Sequence, residues 1–333
     1  TRAWENETAG AAGTDFAVAM NSCTSALETI LEYIDVRDKE VIVPVNTFIA
    51  TSNAVIFQGG RPVLVDTGED LLLDIEKKKA AVTENTKAII IVHIAGYIHP
   101  HIDEIQRFCR ENKIVLLEDA AHAHGASWNG LPAGSFGYAA AFSYYASKVL
   151  TTGVGGMLVT SDDDLASRAR SVRFHGEDNA RGIQDRLGRD MLVTELQAAL
   201  GLVQLRRMPH IIERRMEIAR RYDAALGGRE DLRIFKLPQH ARSGYYKYPV
   251  RLLPPIEKAR VVGDLKAEGI KTGTSYWPPI HLQPVYRERF GFKEGDFPVA
   301  EQVLSTTISL PLYPDMTDEM VERVITSLKK AIK

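Results

Sequence analysis

The chain has 333 residues, 45% of them hydrophobic and 25% charged, with a net charge of −2 at neutral pH. This is the composition of a soluble globular protein too long for one ordinary core. The near-zero balance supplies no basic field for nucleic acid or an anionic membrane surface, and no apolar run reaches the roughly 18–20 residues of a membrane span.

The chain opens at Thr1 without a signal-like apolar stretch, and its first residues read as the continuation of an N-terminal segment that is incomplete here. Leu27, Ile30, Leu31 and Ile34 recur at helical spacing, which predicts a helix over 25–34. Ser25 and Glu28 stand at capping-box spacing and place its start. Strands are predicted over 40–45, 62–65, 88–93, 114–118, 139–144 and 156–160, with a further helix over 101–111. Runs such as Ile89-Ile90-Ile91-Val92 are apolar without alternation, so both faces are buried. Strand–helix alternation of this kind predicts a mostly parallel sheet covered by helices. Lys77-Lys78-Lys79 reads as a solvated helix face. A long helical region over 194–226 is interrupted at Pro209. A strand over 245–252 and a helix over 257–268, ended by Gly269, follow. The last helix, 317–332, is capped by Thr317, with Asp318 and Glu319 in its first turn and Lys329 and Lys330 near its end. A boundary near 227–237 divides the chain into a large domain, 1–230, and a small C-terminal one, 231–333. The two cysteines, Cys23 and Cys109, lie far apart, which argues against a disulfide framework and fits a reducing, cytoplasmic compartment.

Three stretches carry chemistry. Thr24 and Ser25 stand at a predicted helix N-terminus, where free N–H groups and hydroxyls can cradle a phosphate; the alternative is a plain N-cap. Strand 114–118 runs into Glu118 and Asp119, and ligands of open α/β sheets gather at such strand ends. A buried aspartate there needs a cationic partner, which could be a protonated pyridine nitrogen, a structural arginine or a helix N-terminus. His122 and His124 lack a third ligand, so no metal site is expected. Finally, Lys148 follows a strand among small residues and precedes Thr152-Gly153-Val154-Gly155-Gly156. Burial would make it a usable nucleophile; the alternative is a surface loop lysine. A carboxylate for a pyridine nitrogen and an amine for a Schiff base are what pyridoxal 5'-phosphate (PLP) chemistry requires.

With these stretches in this order, the chain resembles fold type I PLP enzymes, and in detail the DegT/DnrJ/EryC1/StrS sugar aminotransferases. The resemblance covers nearly the whole chain through residues 21–27, 43–51, 62–66, 93–96, 118–125, 134–137, 142–156, 173–176, 195–199 and 281–284. It implies an aspartate aminotransferase-like α/β architecture and a homodimer whose active sites draw on both subunits. It implies that Lys148 forms the Schiff base and moves protons, that Asp119 holds the pyridinium nitrogen, and that His122 sits near the ring's phenolic oxygen. Phe48 would stack on the ring, and Thr24, Ser25 and Ser143 would hold the phosphate. Tyr276, Trp277 and His281 are candidates for the acceptor pocket, or else a structural aromatic cluster. The implied reaction is a ping-pong transfer of an amino group from an amino acid, glutamate in this family, to a keto sugar, mostly nucleotide-linked. Two rival readings are a dehydratase of the same family, in which His replaces the lysine, and a non-catalytic PLP-fold sensor. The chain departs from the family pattern at Cys23, at Val154, where Glu is common, and at Arg189-Asp190-Met191-Leu192, where an Asn- and Arg-containing stretch is usual.

Overall fold

The computed structural model describes residues 1–178 and 181–333. Its first helix, α1 (Arg2–Ala12), precedes strand β1 (Phe16–Met20). Six more strands join β1 in one sheet: β2 (Glu40–Pro44), β3 (Arg61–Val65), β4 (Thr86–Val92), β5 (Val115–Asp119), β6 (Ala139–Ser143) and β7 (Gly156–Thr160). Their order is β1-β7-β6-β5-β4-β2-β3. Neighbours from β6 through β3 are parallel, and β7 runs antiparallel to both β6 and β1. β2, β6 and β7 are buried along their whole length, as their unbroken apolar sequences require.

The register gathers the chemistry. Val92 pairs with Asp119, Asp119 with Ala141, and Ser143 with Gly156, which also faces Met20. The carboxyl ends of β1, β4, β5 and β6 and the start of β7 therefore form one edge. Helix α2 (Cys23–Tyr33) starts at that edge, its cap being Ser22, whose Oγ accepts from the Ser25 N–H at 3.0 Å. The cap thus lies three residues before the one the capping-box reading placed, and Ser25 lies inside the first turn. Gly156 makes this start possible, because a Cβ there would collide with the backbone of Ser22 and Cys23.

Helices α3 (Ile49–Phe57), α4 (Ile75–Ala80), α5 (Ile102–Glu111) and α6 (Asp163–Val172) complete this part of the chain. α4 corrects the expectation of a solvated lysine run. Lys78 is fully buried with its Nζ 4.3 Å from the Phe108 ring centre, while Lys77 pairs with Asp66 and Lys79 with Glu76 and Glu104. Helix α7 (Glu195–Leu226) is capped reciprocally by Thr194 and Gln197 and runs through Pro209 without a break. The proline is exposed, and Ile211, Ile212 and Ile218 continue the buried stripe beyond it, offsetting the lost backbone bond.

A second sheet follows, β8 (Leu232–Ile234), β9 (Tyr248–Leu252) and β10 (Thr307–Leu310), in the order β8-β9-β10 and antiparallel throughout. Helices α8 (Lys258–Ala267), α9 (Pro284–Phe290), α10 (Pro298–Thr306) and α11 (Asp318–Ala331) surround it. Tyr248 ties this sheet to α7, its hydroxyl donating to Asp223 Oδ1 at 2.6 Å. Among the described residues, no helix is long and apolar enough to cross a membrane.

Candidate active site

A cavity of about 310 Å³ opens at the edge where β4, β5 and β6 end and α2 begins. Ser22, Cys23 and Thr24 border it from the helix start, Phe48 and Thr51 from α3 and the turn before it, and Asp119, His122, Ser143 and Lys148 from the strand ends. Its volume falls at the lower end of small-molecule sites, about 300–1,000 Å³.

The two consecutive acids of β5 part company because side chains alternate along a strand. Glu118 is fully buried and receives the N–H groups of Gly134, Phe136 and Gly137 at 2.7–2.9 Å, together with His93 Nε2 at 2.8 Å. Every one of these contacts is internal to the scaffold. Asp119 turns to the cavity, where Thr51 Oγ1 donates to Oδ2 at 2.7 Å and the Ala121 N–H to Oδ1 at 3.1 Å. Each oxygen keeps an acceptor position for a donor inside the cavity.

His122 is buried beside Asp119, and its Nδ1 accepts from the Ala95 N–H at 3.3 Å. The ring proton therefore sits on Nε2, which is 2.8 Å from the Tyr276 hydroxyl and donates to it. Burial holds this imidazole well below its usual pKa, helped by Lys148 and Lys247, so it is neutral. Tyr246 stacks on the His122 ring at 4.1 Å, and Lys148 Nζ lies 4.5 Å from the centre of the Tyr246 ring. The loop carrying Lys148 closes on Tyr144, whose N–H donates to Gly155 O at 2.8 Å and whose carbonyl accepts the Thr152 N–H at 3.0 Å.

Of the residues singled out from sequence, Lys148, Asp119, His122, Thr24, Phe48, Ser143 and Tyr276 all border this one cavity. Ser25 does not; its hydroxyl is held by Asn21 Oδ1 at 2.6 Å and Ser22 Oγ at 2.9 Å. Trp277 and His281 also lie outside. The left-handed backbone at Tyr276 (φ 68°) turns that ring toward His122 and leaves Trp277 at the surface. His281 is fully buried, bonded to Glu301 at 2.8 Å and packed 4.7 Å from Phe297, which makes it part of a structural aromatic cluster. Val154 borders the cavity half-exposed, and its carbonyl accepts from Thr152 and Gln197. Asp190 is exposed and outside the cavity. Thr51, Tyr246 and Lys247 received no role from sequence, because only the fold brings them to Asp119 and His122. Among the described residues no cluster of His, Cys, Asp and Glu could hold a metal ion.

An acid at a parallel-strand end, a lysine on the turn after β6 and a helix N-terminus thus meet around one cavity, as the aminotransferase resemblance implies. Comparison with known proteins establishes the class. The chain belongs to the DegT/DnrJ/EryC1/StrS aminotransferase family, whose model matches residues 1–329. Its members are PLP-dependent, and the chain is an aminotransferase of the aspartate aminotransferase-like α/β fold. It is 34% identical to the dTDP-4-dehydro-2,3,6-trideoxy-D-glucose 4-aminotransferase of Saccharopolyspora spinosa, over 100% of this chain and 89% of that protein. It superposes on S. venezuelae DesV, solved with a ketimine intermediate, with a TM-score of 0.94 and 32% identity, covering 100% of this chain and 89% of that one. The sugar aminotransferase Spr1654 of Streptococcus pneumoniae, described as putative and solved in its PLP form, gives 0.91 and 28%, covering 100% and 92%.

Proposed function

We propose that this chain binds PLP in the cavity and passes an amino group from an amino acid, glutamate, to a keto sugar carried on a nucleotide. The observation that carries the reading is the convergence of Asp119 and Lys148 on one cavity beside the start of α2. The donor set fits the cofactor. Asp119 has acceptor capacity left for a ring N–H, Thr24 offers a hydroxyl at the helix start and Ser143 one at the end of β6, and Lys148 is a primary amine on a glycine-flanked loop. When bound, PLP supplies an electron sink that stabilises negative charge at the substrate carbon next to nitrogen.

The chain's own residues do the rest. Asp119 accepts from the ring nitrogen and keeps it protonated. His122 directs its Nε2–H at Tyr276, which leaves the Tyr276 hydroxyl proton free to be donated into the cavity toward the phenolic oxygen. Phe48, 56% exposed, is an apolar face waiting for a ring. The α2 N-terminus favours a phosphate through its dipole and free N–H groups. Lys148 Nζ takes up the proton released from the donor and returns it to the acceptor. This use of a lysine favours transfer over the dehydratase reading.

Two further parts belong to the same reading. The chain divides near residue 230 into a large cofactor-binding unit and a small one, supported by the separation of the seven-stranded sheet from the β8-β9-β10 sheet. It pairs as a homodimer with shared active sites, supported by the exposed apolar stripe Leu196, Ala199, Leu200 and Val203 on α7. Free Cys23 and Cys109 suit a reducing compartment such as the cytoplasm.

The test is borohydride trapping. Wild-type protein loaded with PLP should retain the label covalently after reduction, lose its visible absorbance with glutamate, and regain it with a nucleotide-linked keto sugar. A Lys148→Ala protein that still traps the label would overturn the assignment of the nucleophile.

A further inference from the structure

A second lysine stands beside the cavity. Lys247 follows Tyr246 at the entry to β9, half-buried, with its Nζ 4.4 Å from the Tyr276 ring centre and 5.7 Å from that of Tyr246. Both rings border the cavity. Its hydrogen-bond partner is the carbonyl of Thr274. Among the described residues it makes no ion pair, whereas the buried Arg251 meets a carboxylate. A half-buried ammonium without a counter-charge is costly. The charged and titratable groups around it do not relieve that cost: Lys148 is a like charge, His122 is neutral, and burial pushes the Tyr276 phenol far up, so it stays protonated.

The charge count of the cavity points the same way. Asp119 is the acid in its lining, against Lys148 and the adjacent Lys247. On the transfer reading Asp119 is matched by a ring nitrogen, so it is not a counter-charge for Lys247. Resting on the transfer reading above, we infer that Lys247 is the anchoring point for an anionic group of the substrate, reached across the faces of Tyr246 and Tyr276. The oxygen anion comes either from the donor's carboxylate or from the phosphates of the sugar nucleotide. Thr274 O and the two ring faces fix the ammonium in place beforehand, so little ordering is lost on binding.

Calorimetric titration of PLP-loaded wild type, Lys247→Met and Lys247→Arg with two inert probes decides it. Glutarate stands for the donor and thymidine diphosphate for the acceptor. The expected result is at least a tenfold loss of affinity for one probe in Lys247→Met, recovery to within about threefold in Lys247→Arg, and an unchanged affinity for PLP in all three. The probe affected identifies which substrate the lysine holds. Equal affinities for both probes across the three proteins, or no binding of either by wild type, would overturn the inference. A protein that holds glutarate through Lys247 but never passes on the nitrogen of glutamate fails the transfer reading alone.

Discussion

Replacing Gly156 by alanine probes fold and site together. Gly156 opens β7 opposite Met20 and Ser143, and its backbone does not need glycine's left-handed freedom. What it needs is space. A Cβ there would fall well inside 3.0 Å of the carbonyl carbon and oxygen of Ser22 and of the Cys23 nitrogen. Those atoms are backbone at the cap of α2, so no rotamer change relieves the clash. Overpacking costs typically about 1–3 kcal/mol where side chains can yield, and more where they cannot. Gly156→Ala should therefore lose about 3 kcal/mol or more, a fall in Tm of about 6 °C. Because the same shift displaces the helix N-terminus, PLP affinity should drop at least tenfold. Gly263→Ala is the matched control: it lies inside α8 with nothing within 4 Å of the added carbon. There the helix gains about 0.5–1 kcal/mol, with PLP affinity unchanged. Thermal unfolding and fluorescence titration with PLP measure both. Wild-type Tm and PLP affinity in Gly156→Ala would refute the reasoning, because α2 would then not depend on that contact.

Leu200→Glu puts a charge in the centre of the exposed stripe on α7 and should convert a dimer to a monomer in light scattering at micromolar concentration; an unchanged mass would remove α7 from the interface. His124 gives a pH signature. It is buried against Phe142 and Tyr144 with neither ring nitrogen bonded, and burial, then Lys148, push its imidazole down to about 3. The unfolded chain takes up its proton near pH 6.5 and the folded one does not, so stability present above that pH is lost as pH falls from 6.5 toward 3. Between pH 7 and 5 this amounts to about 2 kcal/mol. Urea unfolding of wild type against His124→Leu should show the gap between them shift by that amount in favour of the variant, and a gap that does not move with pH would show that His124 titrates normally.

Why some of this was legible in the sequence and some was not follows from the range of the contacts. The strands β2 to β7 announce themselves, because burial on both faces demands unbroken apolar runs. Strand β1 does not: Phe-Ala-Val-Ala-Met is half alanine and methionine, and its place beside β7 is a pairing across some 140 residues. The acids of β5 show the limit more sharply. Sequence placed Glu118 and Asp119 together at a strand end, yet pleating sends one into a scaffold turn and the other to the cavity, and only the partners reveal which. Thr51 reaches Asp119 across 68 residues and Tyr276 reaches His122 across 154. No local pattern encodes such distances. Lys78 reads as solvated and Lys247 carries no role in the sequence, for the same reason. A lysine in a run of lysines, or one in an aromatic strand, looks solvated until the surface opposite is known. In the fold one lies over Phe108 and the other over Tyr276, and an aromatic face offsets part, not all, of the cost of withdrawing each from water without an acid. The difference between them is position. Lys78 is sealed inside the scaffold, where no ligand can reach it, while Lys247 stands beside the cavity, over two of the rings that line it.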